Sequence, residues 1–352
     1  MTSRERILLA LNHEEADRVP IHDSPWGHTV NRWRKEGLPE GESPDSFFGY
    51  EMAGQGADCS LQLPYQVIEE AETYRIYKNA EGATRKDFKD HESTPECLDF
   101  TIKDRETWEE YKPRMAWNDS RVDWEGGLAA NKATREKGLF VTYNAAFGYD
   151  KMQGFVGSQR LLEAIALDPA WVKDMFDTAV DLLLTAAEEM MSRGFKFDGA
   201  FVFDDMGYRN GTLFSPEDYR VVEFPSQKRM CDFFKSRNMP VILHSCGCVR
   251  EIVPMLIEAG FTCLQPLEVK SGMDLVELKK NFGDELAFMG GIDVRAMADP
   301  DPSVIESEIE TKIPVAKEGG GYIYHSDHSV PSNVSFQQYC RVIELVGKYG
   351  AY

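Results

Sequence analysis

From residue 140 onward the chain repeats one pattern: a short apolar run rich in β-branched and aromatic residues ends in polar residues, and a segment of helical period follows. The runs are FVTYNAAF (140–147), FDGAFVFDD (197–205), PVILHSC (240–246), FTCLQPLE (261–268), LAFMGGID (286–293) and GYIYHSD (321–327). Helix signals lie between them. Ser215 precedes Pro216, Glu217 and Asp218 as an N-cap with a first-turn proline, and Asp301-Pro302 opens a segment in which Ile305, Ile309 and Ile313 recur at helical spacing. Val249, Ile252, Val253, Leu256 and Ile257 form another stripe, in which Pro254 predicts a kink or a later start. Alternating strands and helices require parallel strands with helical crossovers.

Two architectures satisfy that pattern, a closed eight-stranded barrel and an open doubly wound sheet. RVPIHDS (18–24) supplies an earlier strand, and one more unit must lie before residue 140. A barrel takes about 250 residues, leaving roughly a hundred of this chain for additions. We read residues 1–352 as an α/β TIM (β/α)8 barrel with an N-terminal addition at 60–115. Within that addition, QVIEEAETYRIYKNAEGATRKDFK predicts a β-hairpin turning at Asn79-Ala80-Glu81-Gly82 and packed on the barrel.

Charge narrows the partners. With 39 Lys+Arg against 59 Asp+Glu, the formal net charge is −20, which argues against a phosphate backbone or an anionic membrane surface. The seven cysteines are odd in number and scattered, which favours a reducing compartment over a disulfide framework. The first twenty residues, MTSRERILLALNHEEADRVP, lack the apolar core and cleavage site of a signal peptide, and no stretch approaches the ~18 apolar residues of a membrane span. The expectation is a cytoplasmic protein of open oligomeric state, with no nucleic acid or membrane partner.

The carboxyl ends of barrel strands line the active face. Here those ends carry His22 and Asp23; Tyr143 and Asn144; Asp204 and Asp205; His244, Cys246 and Cys248; Glu268; Asp293; and His325, Asp327 and His328. His244-Ser245-Cys246 is the sharpest of them. Residues i and i+2 of a strand share a face, so an imidazole and a thiol project together as half of a tetrahedral zinc site. His328 is the natural third ligand, His325 a reserve, and Asp205 or Glu223 a candidate for the fourth place. The alternative is a buried Cys beside a hydrogen-bonded His. Trp26, Tyr143, Phe147 and Tyr149 are candidates to wall a pocket for a flat or apolar substrate, or else they pack the core.

These residues resemble the uroporphyrinogen decarboxylase superfamily, especially its zinc-dependent, corrinoid-linked methyltransferase branch. The matching segments are FDDMG (203–207), LFSPEDYR (213–220), VILHSCGCVREIVPMLIEAGF (241–261), LQPLE (264–268), FMGGIDV (288–294) and GGGYIYHSDHSVP (319–331), with EGATRKDFKDHESTP (81–95) and RETWEEYKPRM (105–115) in the addition. The resemblance implies zinc held by His244, Cys246 and a ligand from the last loop, which carried over is His328. Coenzyme M methyltransferases of that branch have cysteine in this loop, so histidine here points away from a thiol acceptor. Uroporphyrinogen decarboxylases carry an Arg-Gln-Ala-Gly-Arg motif after the first strand, whereas this chain reads HDSPWGHTVNRW (22–33).

The expected activity is therefore zinc-dependent transfer of a methyl group from a small methylated, methoxylated substrate to a corrinoid protein. Asp204, Asp205 or Glu268 would orient ligands or handle a proton, and His22, Trp26, Tyr143, Asn144, Phe147, Asp293 and His325 would contact the substrate. The rivals are a metal-free decarboxylase of the same superfamily and a non-catalytic barrel that binds a small molecule or a corrinoid protein.

Overall fold

The computed structural model describes residues 1–89 and 94–352. Strand β1 (Met52–Gln55) is followed by an antiparallel sheet of β2 (Gln66–Glu70), β3 (Tyr74–Lys78), β4 (Ala83–Phe88) and β5 (Glu96–Phe100). Six further strands alternate with helices: β6 (Phe140–Ala146), β7 (Gly199–Phe203), β8 (Val241–His244), β9 (Cys263–Gln265), β10 (Ala287–Met289) and β11 (Tyr322–Ile323). Together with β1 they form a curled, seven-stranded parallel sheet in the order β1-β6-β7-β8-β9-β10-β11.

Both edges of that sheet meet one segment. Tyr324 N donates to Pro20 O (2.9 Å), His22 N donates to Tyr324 O (3.1 Å), and Glu51 N donates to Ile21 O (2.9 Å). The Pro20–His22 segment thus stands between β11 and β1, the arrangement of a TIM-like barrel. The strand expected over 18–24 is reduced to isolated bridges, Ile21 with Tyr324 and Pro25 with Val330. Proline has no N–H, so the segment cannot sustain a continuous ladder through position 20. The unit required before residue 140 is β1.

Side-chain alternation divides inside from outside. Met52, Phe140, Phe201, Ile242, Cys263, Ala287, Met289 and Ile323 pack together within the sheet's curl, joined by Ile7, Ala10 and Leu11 of helix Ser3–Leu11, which plugs the amino-terminal end. The intervening residues, such as Tyr143, Ala200, Val202 and Leu243, face the helical layer. Apolar burial on both faces explains why these strands read as near-continuous apolar runs.

The helices start where their caps lie. Ser215 Oγ accepts from Asp218 N at the head of Pro216–Val222, and Asp301 caps Pro302–Lys317, which buries Ile305, Ile309 and Ile313. The stripe at 249–257 is broken: a 3₁₀ turn at Arg250–Ile252 leads into helix Val253–Ala259, with Pro254 in its first turn, where its missing N–H costs nothing. The N-terminal addition is a four-stranded sheet rather than a single hairpin. Its β3–β4 turn lies at the expected place, with Asn79 Oδ1 accepting from Ala83 N (2.9 Å), and Glu81 ties it to the barrel through Lys151 Nζ (2.9 Å). Residues 90–93 of the EGATRKDFKDHESTP segment lie outside the described residues. No described helix is long and apolar enough to cross a membrane.

One close approach gives a direct test. A Cβ on Gly56, just past β1, would lie 2.0 Å from Asn144 O, whereas one on the exposed helical Gly347 would meet nothing within 4 Å. Gly56→Ala is expected to lose about 1–3 kcal/mol through overpacking. Gly347→Ala should gain up to about 1 kcal/mol from helix propensity. Urea unfolding of the two variants beside the parent checks both signs.

Candidate active site

The strand ends surround a cavity of about 350 Å³ at the carboxyl end of the barrel. Parity selects what lines it. From β6 come Thr142 and Asn144; from β7 and its extension, Phe201, Phe203 and Asp205; from β8 and its extension, His244 and Cys246; from β9, Gln265 and then Pro266; from beyond β11, His325, His328 and Ser329. His22 and Ser24 close the ring on the far side, with Met52, Ala53 and Gly54 of β1 beside them. No arginine or lysine is among these residues.

Three of them form a tight group: the ligand atoms of Asp205, His244 and Cys246 lie within 4.8 Å of one another. His244 Nε2 is 3.4 Å from Cys246 Sγ and 3.4 Å from Asp205 Oδ1. Its other nitrogen, Nδ1, is bonded to the amide oxygen of Gln265, which assigns the proton to Nδ1 and leaves the Nε2 lone pair toward the sulfur and the carboxylate. The Cys246 N–H donates to Asp205 Oδ1 (2.8 Å) and orients the carboxylate. Burial, then the negative charges of Asp205 and Glu268, push the Cys246 thiol well above its usual range. An imidazole nitrogen, a sulfur and a carboxylate oxygen drawn together without a positive side chain form a donor set that fits a divalent cation of zinc type.

His328 lines the same cavity, its ring 5.9 Å from and edge-on to Trp26, but it does not join the group of three. Burial and then Lys270 hold its imidazole below the usual pKa. Glu223, the other candidate for a fourth place, is outside the group of three and is buried beside Asp204.

The remaining expected residues divide. His22, Asn144 and His325 line the cavity. Burial, then the neighbouring His325, push His22 down to about 3, and its Nδ1 is sealed without a partner. Tyr143 points instead into the helical layer, donating to Leu183 O (3.1 Å), because its neighbour Asn144 takes the inward position. Phe147 and Tyr149 are also fully buried, with Tyr149 Oη bonded to Ser158 Oγ (2.5 Å). Trp26 stands at the rim, 39% exposed. Asp293 caps helix Val294–Met297 and pairs with Arg295 (2.7 Å), away from the lining. Glu268 accepts from Gly247 N (2.8 Å) and Ser271 Oγ (2.8 Å) and pairs with Lys270 (2.7 Å). Burial opposes its ionisation, but those partners outweigh it and hold its pKa low. It pins the loop after Cys246 from behind.

Asp204, adjacent to Asp205 and so of opposite parity, is fully buried. It accepts from Asp150 N (3.0 Å) and Gln227 Nε2 (3.2 Å) and faces Glu223 across Gly148, where a Cβ would lie 2.0 Å from Glu223 Oε1. Two carboxyls buried against each other favour a proton held by the pair. Burial raises both acids, Asp204 further through Glu223, and puts Glu223 at about 8. Gln265 was not singled out from the sequence, nor were Ser24, Thr142, Phe201 and Phe203. The available signal was the two-residue period: Gln265 lies two residues past the inward Cys263, and Phe201 and Phe203 lead in the same register to Asp205.

Residues 152–349, more than half of the chain, match the family described as Uroporphyrinogen decarboxylase (URO-D). The chain belongs to the uroporphyrinogen decarboxylase family. Among solved structures, a methyltransferase from Methanosarcina mazei superposes with a TM-score of 0.69 at 17% identity, covering 99% of this chain and 99% of that one, a likeness of fold. An intracellular xylanase from Thermoanaerobacterium saccharolyticum (TM-score 0.38, 8% identity, 62% of this chain and 74% of that one) and a sugar phosphate isomerase/epimerase from Parabacteroides distasonis (0.34, 12%, 66% and 78%) are far more distant. No curated protein matches the sequence. The family match begins within the helix after β6, so it spans Asp204, Asp205, His244, Cys246, Gln265, His325 and His328 but not His22 or Asn144.

The buried acid pair predicts a pH dependence. An acid whose pKa is higher folded than unfolded binds an extra proton in the native state between the two values, so stability falls as pH rises from about 4.5 toward about 8. Glu223→Gln keeps the shape and removes both Glu223's own titration and the like charge beside Asp204. Urea midpoints across pH 5–8.5 are expected to fall less steeply for this variant than for the parent, and equal slopes would contradict the shared proton.

Proposed function

We propose that this protein is a zinc-dependent methyltransferase that moves a methyl group from a small methoxylated substrate to a corrinoid protein. The observation that carries the reading is the convergence of His244 Nε2, Cys246 Sγ and an Asp205 oxygen at the carboxyl ends of β7 and β8, on the wall of a small cavity. The likeness in fold to a chain described as a methyltransferase, over 99% of both, supports the methyl-transfer part. The HSCG segment at 244–247 and the histidine-rich loop at 325–328 support the metal and corrinoid part through the resemblance given above.

His244 and Cys246 would hold the metal with His328, and Asp205 would be their exchangeable neighbour. When bound, zinc supplies Lewis acidity toward the heteroatom that carries the methyl group. Everything else falls to this chain's own side chains. Gln265 keeps the His244 proton on Nδ1, so the ligating nitrogen stays available. Phe201, Phe203 and Met52 give the cavity an apolar floor that excludes water from the reacting end. Its volume suits a small molecule rather than a tetrapyrrole. With no arginine or lysine in the lining, the cavity has no counter-charge for a polycarboxylate, which speaks against porphyrinogen decarboxylation.

Metal analysis of purified protein is expected to give about one zinc per chain, as a three-ligand site requires. His244→Ala and Cys246→Ser should lose it, and Asp205→Asn should retain it with weaker affinity. Mixing the enzyme with cob(I)alamin and a panel of methylated compounds should produce the methylcobalamin spectrum, and His244→Ala should reduce that rate at least a hundredfold, the usual scale for removing an essential electrostatic group. Full methyl transfer by a metal-free variant would end the proposal.

A further inference from the structure

One residue interrupts the apolar floor of the cavity. The ladder sets Asn144 of β6 opposite Phe201 of β7, Phe201 opposite Ile242 and Ile242 opposite Cys263, so a carboxamide shares its level with three apolar side chains. His244 stands opposite Phe203, two residues further along the strands, a step of roughly 7 Å. Asn144 therefore lies one inward layer deeper than the metal group, and it lines the same cavity. The metal chemistry makes no use of it.

Its carboxamide is held in one orientation. Thr142 Oγ1 lies 2.6 Å from Asn144 Oδ1, the spacing of an O–H···O bond, whereas the hydroxyl's other neighbour, Ala53 O, is 3.4 Å away. The hydroxyl thus donates to Oδ1, which makes the opposite end of the group the NH2. That end rests on β1 where Gly54 has no side chain: a Cβ there would lie 2.0 Å from Nδ2 and 2.4 Å from Cγ. Nδ2 has no acceptor among the described residues, and it is not one of the side-chain atoms sealed from solvent. Since Asn144 points into the barrel, the open side of this nitrogen is the cavity. A donor fixed in direction and left unmatched in an apolar layer calls for an acceptor from a ligand.

We propose that Asn144, oriented by Thr142 and Gly54, is a specificity-determining donor for an acceptor oxygen at the deep end of the substrate. The substrate then carries two oxygens: the methylated one at the metal group, and an ether, carbonyl or hydroxyl oxygen one layer below it. This rests on the methyl-transfer reading, which it deepens. β7 lies between β6 and β8, and its inward Phe201 and Phe203 flank the path from one oxygen to the other, which fits a flat apolar body joining them.

The test is calorimetric binding of matched pairs to the zinc-containing protein: 1,2-, 1,3- and 1,4-dimethoxybenzene, each beside the ethylmethoxybenzene in which a CH2 replaces one ether oxygen. Burying an unbonded oxygen is unfavourable, so without a donor each ethyl compound binds at least as tightly as its partner. With Asn144 as donor, the dimethoxy compound of at least one pair should bind about fivefold more tightly, the scale of one hydrogen bond and beyond the statistical advantage of a symmetrical molecule. Asn144→Leu should abolish that preference while zinc content stays unchanged, and Thr142→Val, which frees the carboxamide to turn, should reduce it. Ethyl compounds that equal or exceed their partners in all three pairs on the unaltered protein overturn the subsite, whatever the folding of the variants. So does an undiminished preference in either variant, loss of zinc from Asn144→Leu, or failure of all the probes to bind. If the preference holds and depends on Asn144 but no dimethoxybenzene passes a methyl group to cob(I)alamin, the methyl-transfer reading fails and the subsite stands.

Discussion

The two-residue alternation of parallel strands governs this molecule. On a barrel strand every second side chain enters the interior and its neighbours enter the helical layer, with no intermediate choice. Below the cavity the inward set is apolar and sealed by Ile7, Ala10 and Leu11. At the carboxyl ends the same set becomes Asn144, Asp205, His244, Cys246, Gln265 and His325. One geometrical rule therefore produces a dry floor and a polar rim within a few residues on each strand, and it delivers an imidazole and a thiol from β8 to the same point.

Two kinds of acid follow from that rule. Asp205 faces the cavity and the ligand atoms, whereas Asp204, one residue earlier, is turned into a closed compartment with Glu223. Burial without a cation favours a proton retained by that pair, while Glu268, bonded to Gly247 N of the Cys246 loop, is kept ionised by Lys270, Ser271 and that backbone N–H. The carboxylates named together from sequence thus have separate roles: one at the candidate metal site, one locking the outer layer, one holding a loop.

Much of this was legible beforehand. The strand–helix rhythm located every parallel strand from 140 onward, and the HxC spacing located two of the three residues whose donor atoms converge, His244 and Cys246. Other features were hidden for identifiable reasons. Tyr143 and Asn144 cannot both face inward, and only the register of β6 against β7 decides between them. Pro20 shortens the first strand to bridges, and Pro254 delays its helix by a turn. Gln265 is chemically unremarkable in a sequence. It matters because β9 lies between β8 and β10 and presents it to two histidines. That Asp205 joins the tight group while His328 stands on the wall depends on how the last loop folds back, which no local pattern encodes.

The central claim is that His244 and Cys246 ligate a metal, and X-ray absorption at the zinc edge of the purified protein tests it most directly. The account predicts zinc with a single sulfur ligand at about 2.3 Å and the remaining ligands nitrogen or oxygen at about 2.0–2.1 Å. A spectrum showing no sulfur in the coordination sphere, or a fully active protein that contains no zinc, would contradict it.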